Sequence, residues 1–329
     1  MSKKAIKKTG LWAAGILIVS ELVLRFVFGF CNAPLYIADP DFEYVYAPNQ
    51  HRYRFRNVVK TNAFSMRSEA VGATDTTVVL LVGDSVVNGG NLSDHDDLAS
   101  TVLEKKLAQH YTQTVRVLNI TAGSWGPDNV FAFLKKKGFF GADLVCLVTS
   151  SHDAYDNMTH QPIVGSNVNY PEKQYKIALY ELFDRYWWMV GANARNLMGP
   201  TTQYAPQDGV IVKLGTTFNA GFQQLADTTR AMHIPFVVYL HPETSEIKAR
   251  RYDKQGQEII AFAKKNHVPL VEELALNPNL TMYREYDTVH YNERGQAFMA
   301  RQLFPIFKQY LDPYFHARTH RTQSTVGAL

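Results

Sequence analysis

Short apolar runs alternate with longer amphipathic stretches along most of this sequence. The first strong run, residues 77–82, holds six apolar or β-branched residues and leads into Gly83-Asp84-Ser85. So short and apolar a run predicts a strand buried on both faces of a parallel sheet. Four further strands are predicted, over residues 115–120, 144–149, 235–240 and 268–271.

Helical patterns separate these runs. They predict helices over residues 94–108, 127–137, 218–232, 245–265 and 293–311. Strands that alternate with helices in this way are typical of a parallel sheet with helices on both faces. The pattern therefore predicts an α/β fold, a three-layer α/β/α sandwich around a five-stranded parallel sheet.

The amino-terminal segment has a different pattern. Residues 11–30 are mostly apolar, and this length is enough to span a bilayer. Lysines precede the segment at Lys3, Lys4, Lys7 and Lys8, which predicts a cytoplasmic amino terminus and a chain that continues outside. A cleaved signal peptide is the alternative, but no clear small-x-small cleavage site follows, so an uncleaved transmembrane helix is favoured.

Composition narrows the range of functions. The 329 residues are 46% hydrophobic and 19% charged, values typical of globular proteins. The net charge of +4 comes largely from the basic amino terminus and tail, so nucleic-acid binding is not predicted.

The two cysteines are expected in different places. Cys31 is expected next to the membrane and Cys146 in a buried strand, which argues against a disulfide between them. Lipid attachment at Cys31 is an alternative that the bulky Phe30 disfavours.

The pattern also predicts how the chain is divided. The segments expected are a cytoplasmic terminus (1–10), a transmembrane anchor (11–30), an amino-terminal wrap or linker (31–76), an α/β domain (77–315) and a disordered tail (316–329). An aromatic-rich insertion is predicted within the domain, over residues 155–217. Its aromatic residues are expected to pack the insertion onto the domain, and contact with sugar rings or with the membrane interface is the alternative.

Three residues suggest a catalytic centre. Ser85 follows a buried strand, at the end of the sheet where parallel α/β proteins hold their ligands. Its hydroxyl can act as a nucleophile if a base reaches it. Asp287 lies three residues before His290, so its carboxylate can fold back and orient the ring. The order Ser, Asp, His predicts a catalytic triad; the alternative is a solvated turn with an incidental histidine.

The motifs around these residues resemble those of a known family. Gly83-Asp84-Ser85, Asn119-Ile120-Thr121-Ala122-Gly123 and Asp287-Thr288-Val289-His290 are similar to the first, second and last blocks of the SGNH (GDSL-like) esterases and acyltransferases, membrane-anchored type. The similarity covers about residues 35–311. It implies the flavodoxin-like fold of that family and an oxyanion hole that includes the backbone N–H groups of Ser85 and Gly123.

The third block departs from the family pattern. The family has Gly-x-Asn-Asp, whereas this chain has Ser150-Ser151-His152-Asp153. His152 stands at the position of the asparagine donor, and because an imidazole N–H can also donate, it is expected to complete the oxyanion hole. The remaining candidates for site support are Asp84, Asn119, Asp153 and His241.

Together these features predict a serine esterase or O-acyltransferase that needs no cofactor or metal. The resemblance implies acyl, and particularly acetyl, esters of an envelope or exported polysaccharide. The chain is expected in the cell membrane as a single-pass protein, with its catalytic domain periplasmic or extracellular. Candidate partners are an acylated glycan or another ester, the membrane, and a membrane acyltransferase or polysaccharide-export proteins. The alternative is a non-catalytic assembly or glycan-binding partner in polysaccharide export.

Overall fold

A computed structural model describes residues 3–72, 77–186, 213 and 215–326. Residues 187–212 and 214 of the predicted insertion lie outside the described residues, as do residues 327–329 of the predicted tail. The main sheet has five parallel strands, as the sequence predicted, and the structure places them in the order β6-β5-β7-β8-β9. These strands are β5 (Thr77–Gly83), β6 (Val115–Thr121), β7 (Leu144–Ser150), β8 (Phe236–His241) and β9 (Leu270–Glu272).

Helices cover both faces of this sheet, so the three-layer α/β/α prediction is confirmed. The helices along the domain are α2 (Ser85–Asn88), α3 (Ala99–Tyr111), α4 (Pro127–Lys137), α5 (residues 178–186), α6 (Gly221–Ala231), α7 (Thr244–Ala249), α8 (Lys254–Asn266) and α9 (Glu293–Val326). One apolar core includes Phe133 of α4, Phe222 of α6 and Ile259 of α8. The opposite core includes Leu103 of α3 and Phe307 of α9.

The register of the sheet brings the carboxyl ends of three strands together. Gly83 at the end of β5 pairs with Thr121 of β6 and with Val148 of β7. A Cβ atom on Gly83 would lie 2.4 Å from the carbonyl oxygen of Val148, so no side chain fits there. The loops that follow these strands therefore meet at one edge, which is where Ser85 lies.

The long helix predicted over residues 245–265 is wrong, because two helices occupy this stretch. Arg250 ends α7 in the left-handed conformation, with φ 54°. Asp253 then begins α8, and its carboxylate accepts a hydrogen bond from the N–H of Gly256. Both segments are polar enough to satisfy one continuous helical pattern, but the capping aspartate starts a new helix.

The amino-terminal segment forms helix α1 (Lys3–Phe26), which is long and apolar enough to cross a membrane; a signal sequence would pass the same test. Two antiparallel hairpins follow, built from β1 (Tyr36–Asp39), β2 (Glu43–Tyr46), β3 (His51–Arg54) and β4 (Asn57–Lys60). The carboxylate of Glu21 accepts hydrogen bonds from the N–H groups of Ala178 and Leu179. The end of α1 is therefore tied to the start of α5.

The closing helix α9 is longer than the sequence predicted. It begins at Glu293, as expected, and continues beyond residue 311 to Val326. The predicted division of the chain into anchor, wrap, domain, insertion and tail stays a prediction.

Candidate active site

Ser85 is the first residue after the turn that ends β5. Asp84 precedes it, and its Oδ1 accepts a hydrogen bond from the N–H of Val86 at 2.9 Å. This bond caps the short helix α2 and fixes the turn. Asp84 is itself buried, and its cap bond fixes the backbone on which Ser85 stands. Its role as site support stays a prediction.

The structure brings the three predicted triad side chains into one hydrogen-bonded chain. His290 Nε2 lies 2.8 Å from Ser85 Oγ, although 205 residues separate them. His290 Nδ1 lies 2.8 Å from Asp287 Oδ2. A base within hydrogen-bond distance of a hydroxyl, itself oriented by a carboxylate, is the arrangement that activates a serine nucleophile.

Asp287 is held in its charged form. Partial burial opposes the charge, but the hydrogen bond from the His290 ring and the backbone N–H groups of His290 and Val289 outweigh it. Together they keep the pKa of Asp287 well below its usual range. The carboxylate is therefore available to stabilise the imidazolium that forms when His290 accepts a proton.

His241 supports the His290 loop from beneath and is fully buried. Its Nε2 lies 2.8 Å from the carbonyl oxygen of Val289, and its Nδ1 lies 2.6 Å from Glu273 Oε2. The other carboxylate oxygen of Glu273 accepts a hydrogen bond from Tyr291. Burial opposes protonation of His241, but Glu273 and the Val289 carbonyl raise its pKa. His241 therefore packs behind Val289 and does not line the cavity.

Two backbone N–H groups are available beside Ser85. In the described part of the chain, the N–H groups of Ser85 and Gly123 donate no hydrogen bond. The carbonyl of Gly123 faces the other way and accepts a hydrogen bond from Tyr44 at 2.7 Å. Tyr170 Oη lies 3.2 Å from the position of a Cβ on Gly123, so even alanine would be tight there. This geometry is compatible with the oxyanion hole that the sequence predicted.

His152 lies within a group of carboxylates. Its Nδ1 is 3.1 Å from Glu243 Oε1, and its Nε2 is 3.8 Å from Asp84 Oδ2 and 3.7 Å from Asp153 Oδ1. Burial opposes protonation, but Asp153, Glu243 and Asp84 outweigh it and raise the pKa of His152 to about 10. These carboxylates therefore favour the protonated ring, and its predicted role as an oxyanion donor stays a prediction.

Asp153 and Asn119 have structural partners. Asp153 Oδ2 accepts hydrogen bonds from the N–H of Ser150 at 2.7 Å and from Thr149 Oγ1 at 2.9 Å, which fixes the loop after β7. Burial, followed by the charge of Asp84, raises the pKa of Asp153. Asn119 is buried in β6 and donates to the carbonyl of Val87, so it stabilises the segment after Ser85 from within the sheet.

Oxygen and nitrogen ligands of the kind that bind metal ions occur in this group. One ligand atom from each of Asp84, His152 and Asp153 lies within 4.8 Å of the others. Asp153 Oδ1 is buried without a hydrogen-bond partner and lies 3.7 Å from His152 Nε2. The expectation that the site needs no metal stays a prediction.

A cavity of about 720 Å³ opens beside Ser85, Gly123 and His290. His152 is not among the described residues that line it. The wall also includes side chains from the hairpins, the insertion and the loop before His290, namely Tyr36, Tyr46, Arg54, Phe55, Tyr170, Arg185, Tyr186 and Arg284. The predicted wrap and insertion thus build one side of the site.

Sequence reasoning missed two arginines that shape this region. Arg67 is buried, and its guanidinium donates to the carbonyls of Asn88, Gly90 and Ser93. It thereby holds the loop after Ser85. Arg284 lies three residues before Asp287 and lines the cavity. Because Arg284 is close in sequence to Asp287 and His290, the sequence could have indicated that it lies near the site.

No protein-family model matches the chain, and no curated protein matches it significantly. Solved structures are similar to it at low identity. A lipase/acylhydrolase from Enterococcus faecalis is 11% identical, with a TM-score of 0.42, over 71% of this chain and 96% of that one. A Clostridium thermocellum family 3 carbohydrate esterase is 13% identical, with a TM-score of 0.41, over 73% and 98%.

A third similar structure is Axe2, an acetylxylan esterase from Geobacillus stearothermophilus. It is 13% identical, with a TM-score of 0.40, over 72% of this chain and 94% of that one. At this level of similarity these structures define no activity for the chain, so the proposal below is based on the geometry of the site.

Proposed function

We propose that this chain is a serine esterase or O-acyltransferase, with Ser85 as nucleophile, His290 as general base and Asp287 as its orienting carboxylate. The observation that carries the proposal is the continuous hydrogen-bonded chain from Ser85 Oγ through His290 to Asp287. It lies at the carboxyl end of a buried parallel strand and opens into a cavity of substrate size.

The reaction would proceed in two halves. Ser85 Oγ attacks the ester carbonyl while its proton passes to His290 Nε2, and the Oγ–carbon bond forms. The N–H groups of Ser85 and Gly123 would stabilise the oxyanion. The alkoxide leaves with the proton from His290, which gives an acyl-enzyme. Water then attacks it to release a carboxylic acid, or a sugar hydroxyl attacks it to form a new ester.

The substrate context remains part of the proposal. We infer an acylated, and in particular acetylated, glycan of the cell envelope or of an exported polysaccharide. The support is the apolar helix α1, which would keep the domain at a membrane, together with the tyrosines that line the cavity. Aromatic side chains offer flat surfaces on which sugar rings can pack.

Hydrolysis of 4-nitrophenyl acetate by the full-length protein in detergent tests the proposal. Wild type should release 4-nitrophenol, and Ser85→Ala should lower kcat by at least about a thousandfold, as expected when a triad member is removed. Circular dichroism should show an unchanged fold. Ser166→Ala, on the insertion surface, serves as the matched control and should keep full activity.

Two results would contradict the proposal. A Ser85→Ala protein with more than about a tenth of the wild-type rate would exclude Ser85 as nucleophile. Complete inactivity of folded wild type toward simple esters and toward acyl transfer would instead favour the alternative role of a glycan-binding or assembly partner.

A further inference from the structure

The charged side chains that line the cavity all have the same sign. Among the described residues of the wall these are Arg54, Arg185 and Arg284, and no aspartate or glutamate is present there. His290, the proposed general base, also lines the cavity. A concave wall that presents positive charge favours an anion over a neutral or cationic ligand.

Two of these arginines share one counter-ion. Arg54 Nη2 and Arg185 Nε each lie 2.9 Å from Oε1 of Glu181, which is itself buried. Arg54 also donates to the carbonyl of Gly29 at the end of the anchor segment. These contacts mark the two arginines as part of the cavity's framework.

Arg284 differs because no carboxylate within the described residues forms an ion pair with it. Its Nη2 donates to the carbonyl of Gly89 at 2.6 Å and to Ser93 Oγ at 3.0 Å, which fixes the guanidinium plane. Its Nη1 donates no hydrogen bond within the described part of the chain, and its Nε is buried without a partner. The guanidinium is thus held in a fixed orientation by Nη2, while Nη1 is still able to donate hydrogen bonds to a ligand.

Arg284 is also close to the reacting groups through the backbone. Its N–H donates to the carbonyl of His290 at 3.0 Å, and its carbonyl accepts from the N–H of Asp287 at 3.2 Å. Arg284 therefore belongs to the same rigid turn as the base and its carboxylate. An anionic group bound there would lie beside the scissile ester and not at a remote surface.

Tyrosines form the neighbouring part of the wall. The ring centroid of Tyr36 lies 4.5 Å from that of Tyr46 and 4.9 Å from that of Tyr170. All three residues line the cavity. Tyr46 and Tyr170 are buried, and their hydroxyls donate to Asn88 Oδ1 and to the Gly123 carbonyl, so they support the wall. Tyr36 is half-buried and presents part of its ring to the cavity, where a sugar ring can pack.

We propose that the preferred substrate is an acyl ester of a carboxylate-bearing sugar, and that Arg284 binds the sugar carboxylate and determines specificity. This inference rests on the proposed function, because it assigns a substrate class to the same cavity. A guanidinium that binds a single carboxylate forms charge-assisted hydrogen bonds, and such bonds commonly contribute tenfold or more to selectivity. The single negative charge of such a carboxylate would also balance the single positive charge of Arg284.

The test compares two substrates that differ in one charge. Fully O-acetylated methyl glucuronide carries a carboxylate, and its carboxamide is the neutral isostere with the same acetyl groups. Acetate release by the full-length protein gives kcat/KM for each. We expect wild type to prefer the carboxylate by about tenfold or more, and added salt should reduce this preference.

Variants connect the preference to Arg284. Arg284→Gln should bring the ratio of the two kcat/KM values close to one, and Arg284→Lys should retain part of the preference. The ratio is informative even if the variant loses overall rate, because both substrates are affected by a general loss. Arg294→Gln, an exposed arginine outside the cavity, is the matched control and should keep the wild-type ratio.

The outcomes separate this inference from the proposed function. Equal wild-type kcat/KM for the two sugars, or a preference unchanged in Arg284→Gln, would overturn the inference while 4-nitrophenyl acetate hydrolysis still supports the esterase. Hydrolysis of 4-nitrophenyl acetate without release of acetate from either sugar would overturn it as well. Absence of all three hydrolyses and of acyl transfer in folded wild type would overturn both.

Discussion

His241 Nε2 lies 2.8 Å from the carbonyl oxygen of Val289, so a fully buried imidazole holds the main chain immediately before His290. The same ring is paired with Glu273 through Nδ1. Neither residue reaches the cavity. The position of the proposed base therefore depends on a buried ion pair on the strand side of the loop.

This relationship leads to the first prediction. His241→Gln should leave Glu273 as an uncompensated buried charge and lower the free energy of unfolding by about 3 kcal/mol. It should also lower kcat, because the loop that carries His290 loses its support. Urea denaturation and esterase kinetics measure the two effects.

A double-mutant cycle provides the control. His241→Gln combined with Glu273→Gln removes both charges, so the pair should lose less stability than the sum of the single variants by about 1 kcal/mol or more. Additive losses would show that the two side chains do not interact energetically.

The second prediction concerns Asp287. Asp287→Asn removes the charge that stabilises the imidazolium and can hold the ring in the wrong tautomer, so kcat should fall by about four orders of magnitude with little change in KM. The fold should be unaffected because Asp287 lies in a partly exposed turn. A reduction in kcat of less than about tenfold would exclude Asp287 as the orienting group.

The third prediction tests His152. If it donates to the oxyanion, His152→Ala should lower kcat by about a hundredfold with little change in KM, and His152→Asn should recover part of the loss. Glu243→Gln, which alters only the partner of Nδ1, should have a smaller effect. A His152→Ala enzyme with near-normal kcat would rule out the donor role and leave the histidine as a counter-charge for Asp84 and Asp153.

The fourth prediction concerns stability and pH. Burial, followed by the nearby charges of Arg67 and Lys60, lowers the pKa of His95 to about 4. The unfolded chain therefore binds a proton at higher pH than the folded protein, and stability falls as the pH drops from about 6.5 to about 4. Over that range His95 should account for a loss of about 3 kcal/mol.

The free energy of unfolding, measured by urea denaturation at several pH values in this range, should depend less on pH for His95→Gln than for wild type. His51→Gln is the control, because His51 is exposed on strand β3 and its replacement should leave the profile unchanged. Parallel profiles for wild type and His95→Gln would show that His95 does not cause the acid sensitivity.

The fifth prediction concerns topology. The lysines at the start of α1, before the apolar segment 11–30, predict a cytoplasmic amino terminus and an external domain. A phosphatase reporter that is active only outside the cytoplasm, fused after residue 326, should therefore be active. Activity of a cytoplasm-dependent reporter at the same site would reverse the proposed orientation.

Much of the fold and part of the site could be predicted from local pattern alone. The buried strand before Ser85, the remaining strands and the spacing of Asp287 and His290 all depend on near neighbours, since alternation and burial repeat over a few residues. The same kind of pattern failed at Arg250, where two polar helices in succession resemble one.

The tertiary structure decided which distant groups meet. The topology of the sheet brings His290 to Ser85 across 205 residues, and it places His241 behind Val289. His152 is drawn among Glu243, Asp84 and Asp153, and Arg284 is turned into the cavity. Residue type and local spacing specify what a side chain can do, whereas its partners depend on strand order and loop path, which bring together residues with no sequence proximity.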